Sequence, residues 1–213
     1  MRTLLNRLGT LDRQSSTLFP QICTMSGTII DAIDRLMPLI IHSTCLDSKL
    51  WNSPHEELPL RDYALSWVIV DRDAKGLVAY QNVTSEMVEV WENEGIDWQQ
   101  RAVINLKVAS QELWTHQKLR PDGSVVWAIM MHNDGFGSSR ILLSPYLDKY
   151  FPEGYYVAIP DRSIGIIIPR DLSIGEMQET QDLLESWYDT ASAPMSPHLF
   201  APDDLIPEHY LWN

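Results

Sequence analysis

The sequence predicts an α+β fold, with a mostly antiparallel sheet of hairpins and helices packed on it. Two hairpins support this prediction: β-forming residues 63–70 pair with 77–80, and residues 155–159 pair with 164–168, each across turn-forming residues. The segments between and after them show the apolar spacing of helices. Strands that arrive as hairpins, without alternating strand–helix units, are typical of an antiparallel sheet.

The first elements along the chain are predicted from apolar spacing and breakers. Isoleucine and methionine recur at helical spacing between Ser26 and Ile41, which predicts a helix that Pro38 bends or ends. Residues 45–62 have little periodicity and are predicted to form a loop. Residues 124–131 carry few polar side chains and predict a strand in the interior of the sheet.

Four later helices are predicted from residues that cap helix N-termini. Ser, Thr and Asp at such positions accept a hydrogen bond from a free N–H group of the first turn. Gly95 is predicted to end the first of these helices in a left-handed conformation. The predicted caps are Thr84 or Ser85, then Asp97, then Ser138 or Ser139, and finally Ser173, where Glu176 completes a capping box.

The length of 213 residues suits one domain that folds without disulfides or metal. We expect residues 1–20 to form a mobile arm or a short helix, and residues 21–213 to form a single α+β domain. The Pro-rich tail after Ala191 also carries large apolar side chains, so we expect it to be ordered. Proline restricts the unfolded chain and lowers the entropy lost when such a tail packs.

The charge of the chain narrows its partners. It has 16 Lys and Arg against 29 Asp and Glu, a net charge of -13. Nucleic acids and anionic membrane surfaces are bound by clustered Lys and Arg, so we expect neither as a partner. A basic protein is the partner that this charge would attract. The sequence does not indicate an oligomeric state.

Localisation is predicted from the cysteines and the apolar runs. Cys23 and Cys45 are too few for a disulfide framework. The N-terminus lacks the apolar core of a signal peptide, and no apolar run is long enough to span a bilayer. We therefore expect a cytoplasmic protein with reduced thiols.

The C-terminal acidic residues are the strongest functional signal. Nine Asp and Glu residues and no Lys or Arg occur from Asp171 to Asn213. Solubility alone would explain such a surplus. A basic partner would explain it too, because like charges repel one another and a partner of the opposite sign relieves that repulsion. We expect the docked tail and the last helix to form one continuous negative surface. The predicted partner-binding residues are Glu176, Glu179, Asp182, Glu185, Asp189, Asp203, Asp204, Glu208 and Trp212.

A glycine-rich turn before a predicted helix is the second candidate site. The N-terminus of a helix presents free N–H groups to an anion. The turn has neither the lysine of a phosphate-binding loop nor the residue order of a nucleophile elbow. Turn-forming glycines with a serine cap are the structural alternative. The candidate anion-binding residues are Gly135, Gly137, Ser138, Ser139, Arg140 and Arg162.

Two carboxylates lie beside these arginines in the sequence. Asp134 and Asp161, with the adjacent Arg140 and Arg162, offer either an acid–base cluster or an internal ion pair that closes one end of the sheet. We assign no catalytic residue.

A second group of residues contains possible metal ligands. His42 and Cys45 lie one helical turn apart, with Cys23 and His55 nearby in the sequence. A zinc site would need all four in tetrahedral geometry, and no paired ligand spacing of zinc sites occurs. A helix C-terminus with a His and a small buried Cys explains the segment better. We therefore predict neither a metal nor a cofactor.

The eight tryptophans divide into two groups by their surroundings. Those at apolar-periodic positions are predicted to lie in the core, whereas those in polar or irregular surroundings would anchor a partner or cover the rim of the core. The core group is Trp67, Trp91, Trp98, Trp127 and Trp187. The other group is Trp51, Trp114 and Trp212.

Three segments of the chain carry a resemblance to a known family. They are residues 133–143 (NDGFGSSRILL), 157–162 (VAIPDR) and 194–200 (PMSPHLF). Together with residues 101–106 they resemble the bacterial YtpQ-like family, a domain of unknown function, over roughly residues 60 to 202. The resemblance implies a bacterial α+β domain that shares the Asp134–Gly135 turn and Arg140. It implies no activity, cofactor or catalytic residue.

Three functional hypotheses follow from these features. The first is a non-enzymatic protein-binding module, such as an immunity-type inhibitor of a basic toxin or nuclease or a DNA mimic. The second is a small-anion-binding protein or enzyme built around the turn Asp134–Ser139. The third is a structural subunit in which an exposed tryptophan anchors a neighbour.

Overall fold

The computed structural model describes residues 28–48, 51–72 and 78–207. These residues form an α+β fold with antiparallel strand pairs, which confirms the predicted class. The strands are β1 (Leu36–His42), β2 (His55–Glu57), β3 (Tyr63–Arg72), β4 (Val78–Asn82), β5 (His116–Leu119), β6 (Val125–Met130), β7 (Tyr155–Asp161), β8 (Ile164–Pro169) and β9 (Leu199–Phe200). The α-helices are α1 (Ser85–Asn93), α2 (Trp98–Ala109), α3 (Ile174–Thr190) and α4 (Pro202–Leu205). The 3-10 helices span Asp31–Arg35, Ser43–Asp47 and Ser138–Tyr150.

The first sheet is organised around the long strand β3. One side of β3 pairs with β1, which places Leu36 opposite Ile69. β2 pairs with residues 64–66 and β4 with residues 68–72, which completes a four-stranded sheet. The hairpin predicted at residues 63–80 is confirmed as β3 and β4.

The structure corrects the first predicted helix. A short 3-10 helix ends at Arg35, and the chain continues as β1. The N–H group of Ile40 donates to Ser139 Oγ at 3.1 Å, on the side of β1 that faces away from β3. Because N–H groups alternate in direction along a strand, position 38 faces the same outer side, where Pro38 forfeits no ladder bond. Pro38, from which a bent or ended helix was predicted, is thus compatible with an edge strand.

The second sheet has five strands in the order β5-β6-β8-β7-β9. The hairpin predicted at residues 155–168 is confirmed as β7 and β8, and the interior strand predicted at residues 124–131 is confirmed as β6. Both faces of this sheet are covered: Ile167 packs into the main core, whereas Ile166 and Ile168 pack with Leu184 of α3. A strand buried on both faces is apolar at consecutive positions, as β8 is.

The predicted N-caps agree with the structure at three of the four helices; the serine cap predicted at Ser138 or Ser139 is wrong, because Gly137 occupies the N-cap position and no side chain caps that helix. Gly95 has a φ of 71°, as expected for the residue that follows a helix. The helix predicted to begin near Ser138 does so, in a 3-10 conformation. The caps that accept a backbone N–H are Thr84 from Met87, Asp97 from Gln100, and Ser173 from Glu176 with the complete capping box.

The core contains most of the tryptophans assigned to it. Trp67, Trp91 and Trp98 are buried in the main core between the sheets and helices. Trp127 and Trp187 are half-buried against α3 and the outer face of the second sheet.

The tail packs onto the domain through residue 207. Leu199–Phe200 pairs with β7 at the edge of the second sheet. Leu205 and Ile206 are buried in the main core, and Leu60 N–H donates to the Asp204 carbonyl at 2.9 Å. The expected arm or helix of residues 1–20 lies outside the described residues. No helix within the described residues combines the length and apolar character needed to cross a bilayer.

Candidate functional site

The glycine-rich turn is centred on a buried arginine. Arg140 has no exposed side-chain area, and its two terminal nitrogens donate to both carboxylate oxygens of Asp134 at 2.8 and 2.6 Å. Its Nε donates to Ser110 Oγ at 2.7 Å, at the end of α2. This bidentate geometry is the strong form of the arginine–carboxylate pair. The predicted internal ion pair therefore exists between Asp134 and Arg140.

Electrostatics keep this pair charged. Burial by itself would raise the pKa of Asp134, but the hydrogen bonds and the positive charge of Arg140 outweigh burial and hold the pKa below its ordinary value. The N–H of Phe136 adds a hydrogen bond to the same carboxylate at 3.1 Å. The carboxylate of Asp134 is thus charged and bonded within the protein at neutral pH.

The glycines of the turn allow close backbone contacts. A Cβ on Gly135 would lie 2.4 Å from the hydroxyl of Tyr80, and Gly135 has a φ of 79°. A Cβ on Gly137 would lie 1.9 Å from the carbonyl oxygen of Ser163. Tyr80 also donates its hydroxyl to the carbonyl of Asp134 at 2.6 Å. The space that an anion would need is therefore occupied by Tyr80 and by the backbone at Ser163.

The two serines of the turn join the two sheets. Ser138 donates both its N–H and its hydroxyl to the carbonyl of Arg162, in the β7–β8 turn. Ser139 accepts from Ile40 of β1, in the first sheet. The guanidinium carbon of Arg162 lies 5.8 Å from the centre of the Tyr80 ring. The structure thus brings all the candidate anion-binding residues together, as a packed junction between the sheets.

Asp161 has a structural role in the same junction. Its buried carboxylate accepts from the N–H and hydroxyl of Ser163 and from the N–H of Ala193. Burial would raise the pKa of Asp161, but these hydrogen bonds outweigh it and hold the pKa low. The sequence had indicated Asp134 and Asp161 but missed Tyr80, Ser110 and Ser163. No local pattern marks those residues, because they approach the turn only in the folded chain.

Basic residues of β5 and the following turn neutralise the start of α3. Arg120 forms ion pairs with Glu176 at 2.6 Å and with Asp171 at 3.2 Å. The hydrogen bond from Arg120 and the N–H of Ser173 lower the pKa of Glu176 to about 2. Lys118 pairs with Glu179. Three of the C-terminal acids are therefore already paired within the chain.

Farther along α3 a stripe of carboxylates faces solvent. Asp182, Glu185 and Asp189 are exposed, and their spacing of three and four residues places them on one side of the helix, opposite buried Leu184. Among the described residues none of the three forms an ion pair. Two of them accept hydrogen bonds from neutral side chains: Gln178 donates to Asp182 and Gln181 donates to Glu185. We call these three residues the α3 acidic stripe.

The acids of the tail lie on the other face of the second sheet. Asp203 lines a surface cavity of about 240 Å³ with Asp148 and Arg170, next to Tyr155, which belongs to the main core. Asp204 accepts from the N–H of Ala201 and so starts α4. Since α3 covers the opposite face, the expected continuous negative surface does not form between α3 and these two acids. Glu208 and Trp212 lie outside the described residues.

The remaining candidates occupy ordinary structural positions. His42 ends β1 and packs on the Tyr63 ring at 4.9 Å between ring centres. Because His42 ends a strand, the predicted helix C-terminus is wrong, and Cys45 is exposed in the following 3-10 helix, so its predicted burial is wrong as well. No group of three or more potential metal ligands occurs within the described residues, which do not include Cys23. Trp51 and Trp114 are half-buried.

Comparison of the chain with protein-family models, with curated proteins and with solved structures returned no match in any of the three. The resemblance to the YtpQ-like family therefore stays a prediction.

Proposed function

We propose that this protein is a non-enzymatic protein-binding module that takes a basic protein partner on the α3 acidic stripe. An immunity-type inhibitor of a basic toxin or nuclease is the form of this function that the charge favours. The observation that carries the proposal is the stripe itself: Asp182, Glu185 and Asp189 share one exposed side of α3 and have no ion-pair partner within the described residues. Charge of one sign on a rigid helix speeds encounter with a partner of the other sign.

The position of Asp189 supports a role beyond solubility. It lies in the last turn of α3, which contains no basic residue. The negative end of the helix dipole disfavours a carboxylate there by about 0.3–1 kcal/mol at an exposed site. A solubilising acid would cost less almost anywhere else on the surface. A basic partner would place positive charge beside Asp189 and so offset the unfavourable interaction of this carboxylate with the helix dipole.

The occupied turn favours binding over catalysis or small-anion capture. The guanidinium of Arg140 is buried and already bonded to Asp134 and Ser110. An anion would have to displace a buried carboxylate that is held by two short hydrogen bonds, which costs more than it returns. The α3 acidic stripe requires no rearrangement to receive a partner.

Capture with a matched variant tests the proposal. Immobilised wild-type protein is exposed to a lysate of the source organism at low and at high salt, beside a variant with Asp182→Asn, Glu185→Gln and Asp189→Asn. The control variant, called the α1 variant, carries the same charge change at the exposed residues Glu86 and Glu89 of α1 and Glu94, which directly follows it. We expect a basic protein that wild type and the α1 variant retain at low salt, and that the α3 variant releases.

Direct titration then measures the affinity of the captured protein, once it has been identified by mass spectrometry and purified. We expect the α3 variant to bind it at least about tenfold more weakly, equivalent to about 1.4 kcal/mol. If no basic protein is retained at low salt, or if both variants retain it equally, the α3 acidic stripe is not the binding surface.

A further inference from the structure

A second surface of the protein combines exposed apolar and aromatic side chains with two lysines. It is formed by the outer side of α2 and by the 3-10 helix Ser138–Tyr150. Ile104 is 43% exposed, Val108 63%, Tyr146 40% and Tyr150 58%. These four are more than half of the large apolar side chains exposed in the described part of the chain. We call this surface the α2 patch: Ile104, Lys107, Val108, Tyr146, Lys149 and Tyr150.

Contacts between side chains hold the patch together. Lys107 Nζ lies 4.0 Å from the centre of the Tyr146 ring, and Lys149 Nζ lies 4.9 Å from that of Tyr150. The Tyr150 ring in turn packs edge-on against Trp114 at 6.2 Å. Ile104 and Val108 are four residues apart on α2, so they share one side of the helix with Lys107 between them. The patch is thus one surface with aromatic rings that are already positioned.

The charge of the patch is opposite to that of the rest of the molecule. Within the described residues neither Lys107 nor Lys149 forms an ion pair. The chain nevertheless has a large excess of acids, with a net charge of -13. Both ammonium groups instead lie over aromatic rings, where they remain available to a carboxylate. Aromatic anchors ringed by charge are the usual composition of a protein-binding surface.

We propose that the α2 patch docks a protein partner whose contact face carries large apolar side chains flanked by carboxylates. The apolar side chains would cover Ile104 and Val108 and pack on the two tyrosines, and the carboxylates would pair with Lys107 and Lys149. A second copy of the chain placed symmetrically on the same patch would bring four lysines of like charge into one interface, which disfavours self-association. This surface is separate from the α3 acidic stripe and prefers the opposite charge.

Synthetic peptides of defined chemistry test the proposal on the full-length protein. The probe is a fluorescent amphipathic helix with Leu and Phe on one face and Glu flanking them, and the matched peptide has Lys in place of every Glu. Fluorescence anisotropy measures both on wild type and on the variant that neutralises the α3 acidic stripe, because the stripe would itself attract the Lys peptide. In that variant we expect the Glu peptide to bind and the Lys peptide to bind at least about tenfold more weakly.

Variants of the chain locate the binding. Val108→Asp should weaken the Glu peptide by about tenfold, and Lys107→Glu with Lys149→Glu should reverse the preference between the two peptides. Leu119→Asp and Ile174→Asp are the controls, since these residues are 47% and 93% exposed and lie away from the patch. Circular dichroism confirms that each variant is folded.

Three results would overturn the proposal. The first is equal binding of the two peptides, and the second is binding that Val108→Asp leaves unchanged. The third is a wild-type dimer in native mass spectrometry that Val108→Asp dissociates, which would assign the patch to a second copy of the chain. The variant that neutralises the α3 acidic stripe should keep its affinity for the Glu peptide, so the two surfaces are tested independently.

Discussion

At the scale of single residues, the ion pair between Asp134 and Arg140 shows why the glycine-rich turn exists. The pair is buried, bidentate and shared with Ser110, so it ties the turn to the end of α2. A buried pair of this kind adds little stability over a well-packed apolar pair, but it is costly to break. Its contribution is to fix one arrangement of the junction between the sheets.

Replacing the carboxylate tests this role. We expect Asp134→Asn to lower the free energy of unfolding by about 3 kcal/mol, because it leaves the charge of Arg140 buried without a counter-ion. Chemical denaturation measures the change. Asp182→Asn is the control, an exposed carboxylate without an ion pair in the described part of the chain, and should change stability by less than about 0.5 kcal/mol. A small effect of Asp134→Asn would show that water reaches Arg140.

Gly137 tests the close backbone contact in the same turn. A Cβ there would lie 1.9 Å from the Ser163 carbonyl oxygen, which belongs to the backbone and has little room to move. We therefore expect Gly137→Ala to destabilise the protein by at least about 2 kcal/mol. Gly175→Ala is the matched control: a Cβ at this helical position would meet nothing within 4 Å. The control should be neutral or stabilise by about 0.5 kcal/mol, and equal melting temperatures for the two variants would contradict the packing argument.

At the scale of elements, α3 has one buried side and one acidic, solvent-exposed side. Leu184 and Thr180 are buried against the second sheet, and the acidic stripe faces solvent. The first turn of α3 is held by Ser173 and Glu176, and Arg120 joins that turn to the end of β5. The local capping box and the distant ion pair thus act on the same carboxylate.

The shared carboxylate gives a pH dependence with a defined sign. Glu176 has its pKa lowered from 4.5 to about 2, so its contribution to stability is complete above about pH 4.5 and is lost as the pH falls toward 2. We expect the stability difference between wild type and Glu176→Gln to be constant at neutral pH and to shrink across that window.

Denaturation of both proteins at stepped pH measures the difference. Arg120→Gln is the control. Removing the guanidinium removes the largest cause of the low pKa of Glu176, so the pH range over which the stability difference shrinks should become narrower. A difference that stays constant from pH 5 to pH 2 would mean that the Arg120–Glu176 pair is not formed in solution.

At the scale of the whole molecule, the tail connects the two sheets from the C-terminal side. β9 extends the second sheet, and α4 returns to the main core next to Leu60, in the loop between β2 and β3 of the first sheet. The buried side chains of Leu205 and Ile206 are the main contribution of this segment. Its last part, α4, contributes to the stability of the domain and lies on the face opposite to α3, whereas Leu199 packs on the α3 side of the sheet.

Truncation separates stability from binding. Deleting residues 199–213 removes the fully buried side chains of Leu205 and Ile206, which at roughly 1.5–3 kcal/mol each predicts a loss of about 3–6 kcal/mol. Leu205→Ala in the full chain should cost about 2–4 kcal/mol. Thermal denaturation measures both. Because Leu205 lies away from the α3 acidic stripe, the Leu205→Ala variant should still bind a basic partner at temperatures where it is folded. An unchanged melting temperature after deletion of residues 199–213 would contradict the packing of the tail.

The sequence by itself determined the features whose causes are local. The caps at Thr84, Asp97 and Ser173 bond to an N–H group three residues away, so a short window contains both partners. The same holds for the two hairpins, whose strands are joined by short turns.

Only the tertiary structure decided the features whose partners are far apart in the chain. The short strands β2, β5 and β9 have no pattern of their own, and β1 has one that suits a helix; each becomes a strand because a neighbouring edge supplies its hydrogen bonds. The same applies to Ser110 and Tyr80 at the turn and to the separation of the tail acids from α3. The physical reason is that strand pairing and burial depend on contacts across the fold, which a local pattern of residues does not encode.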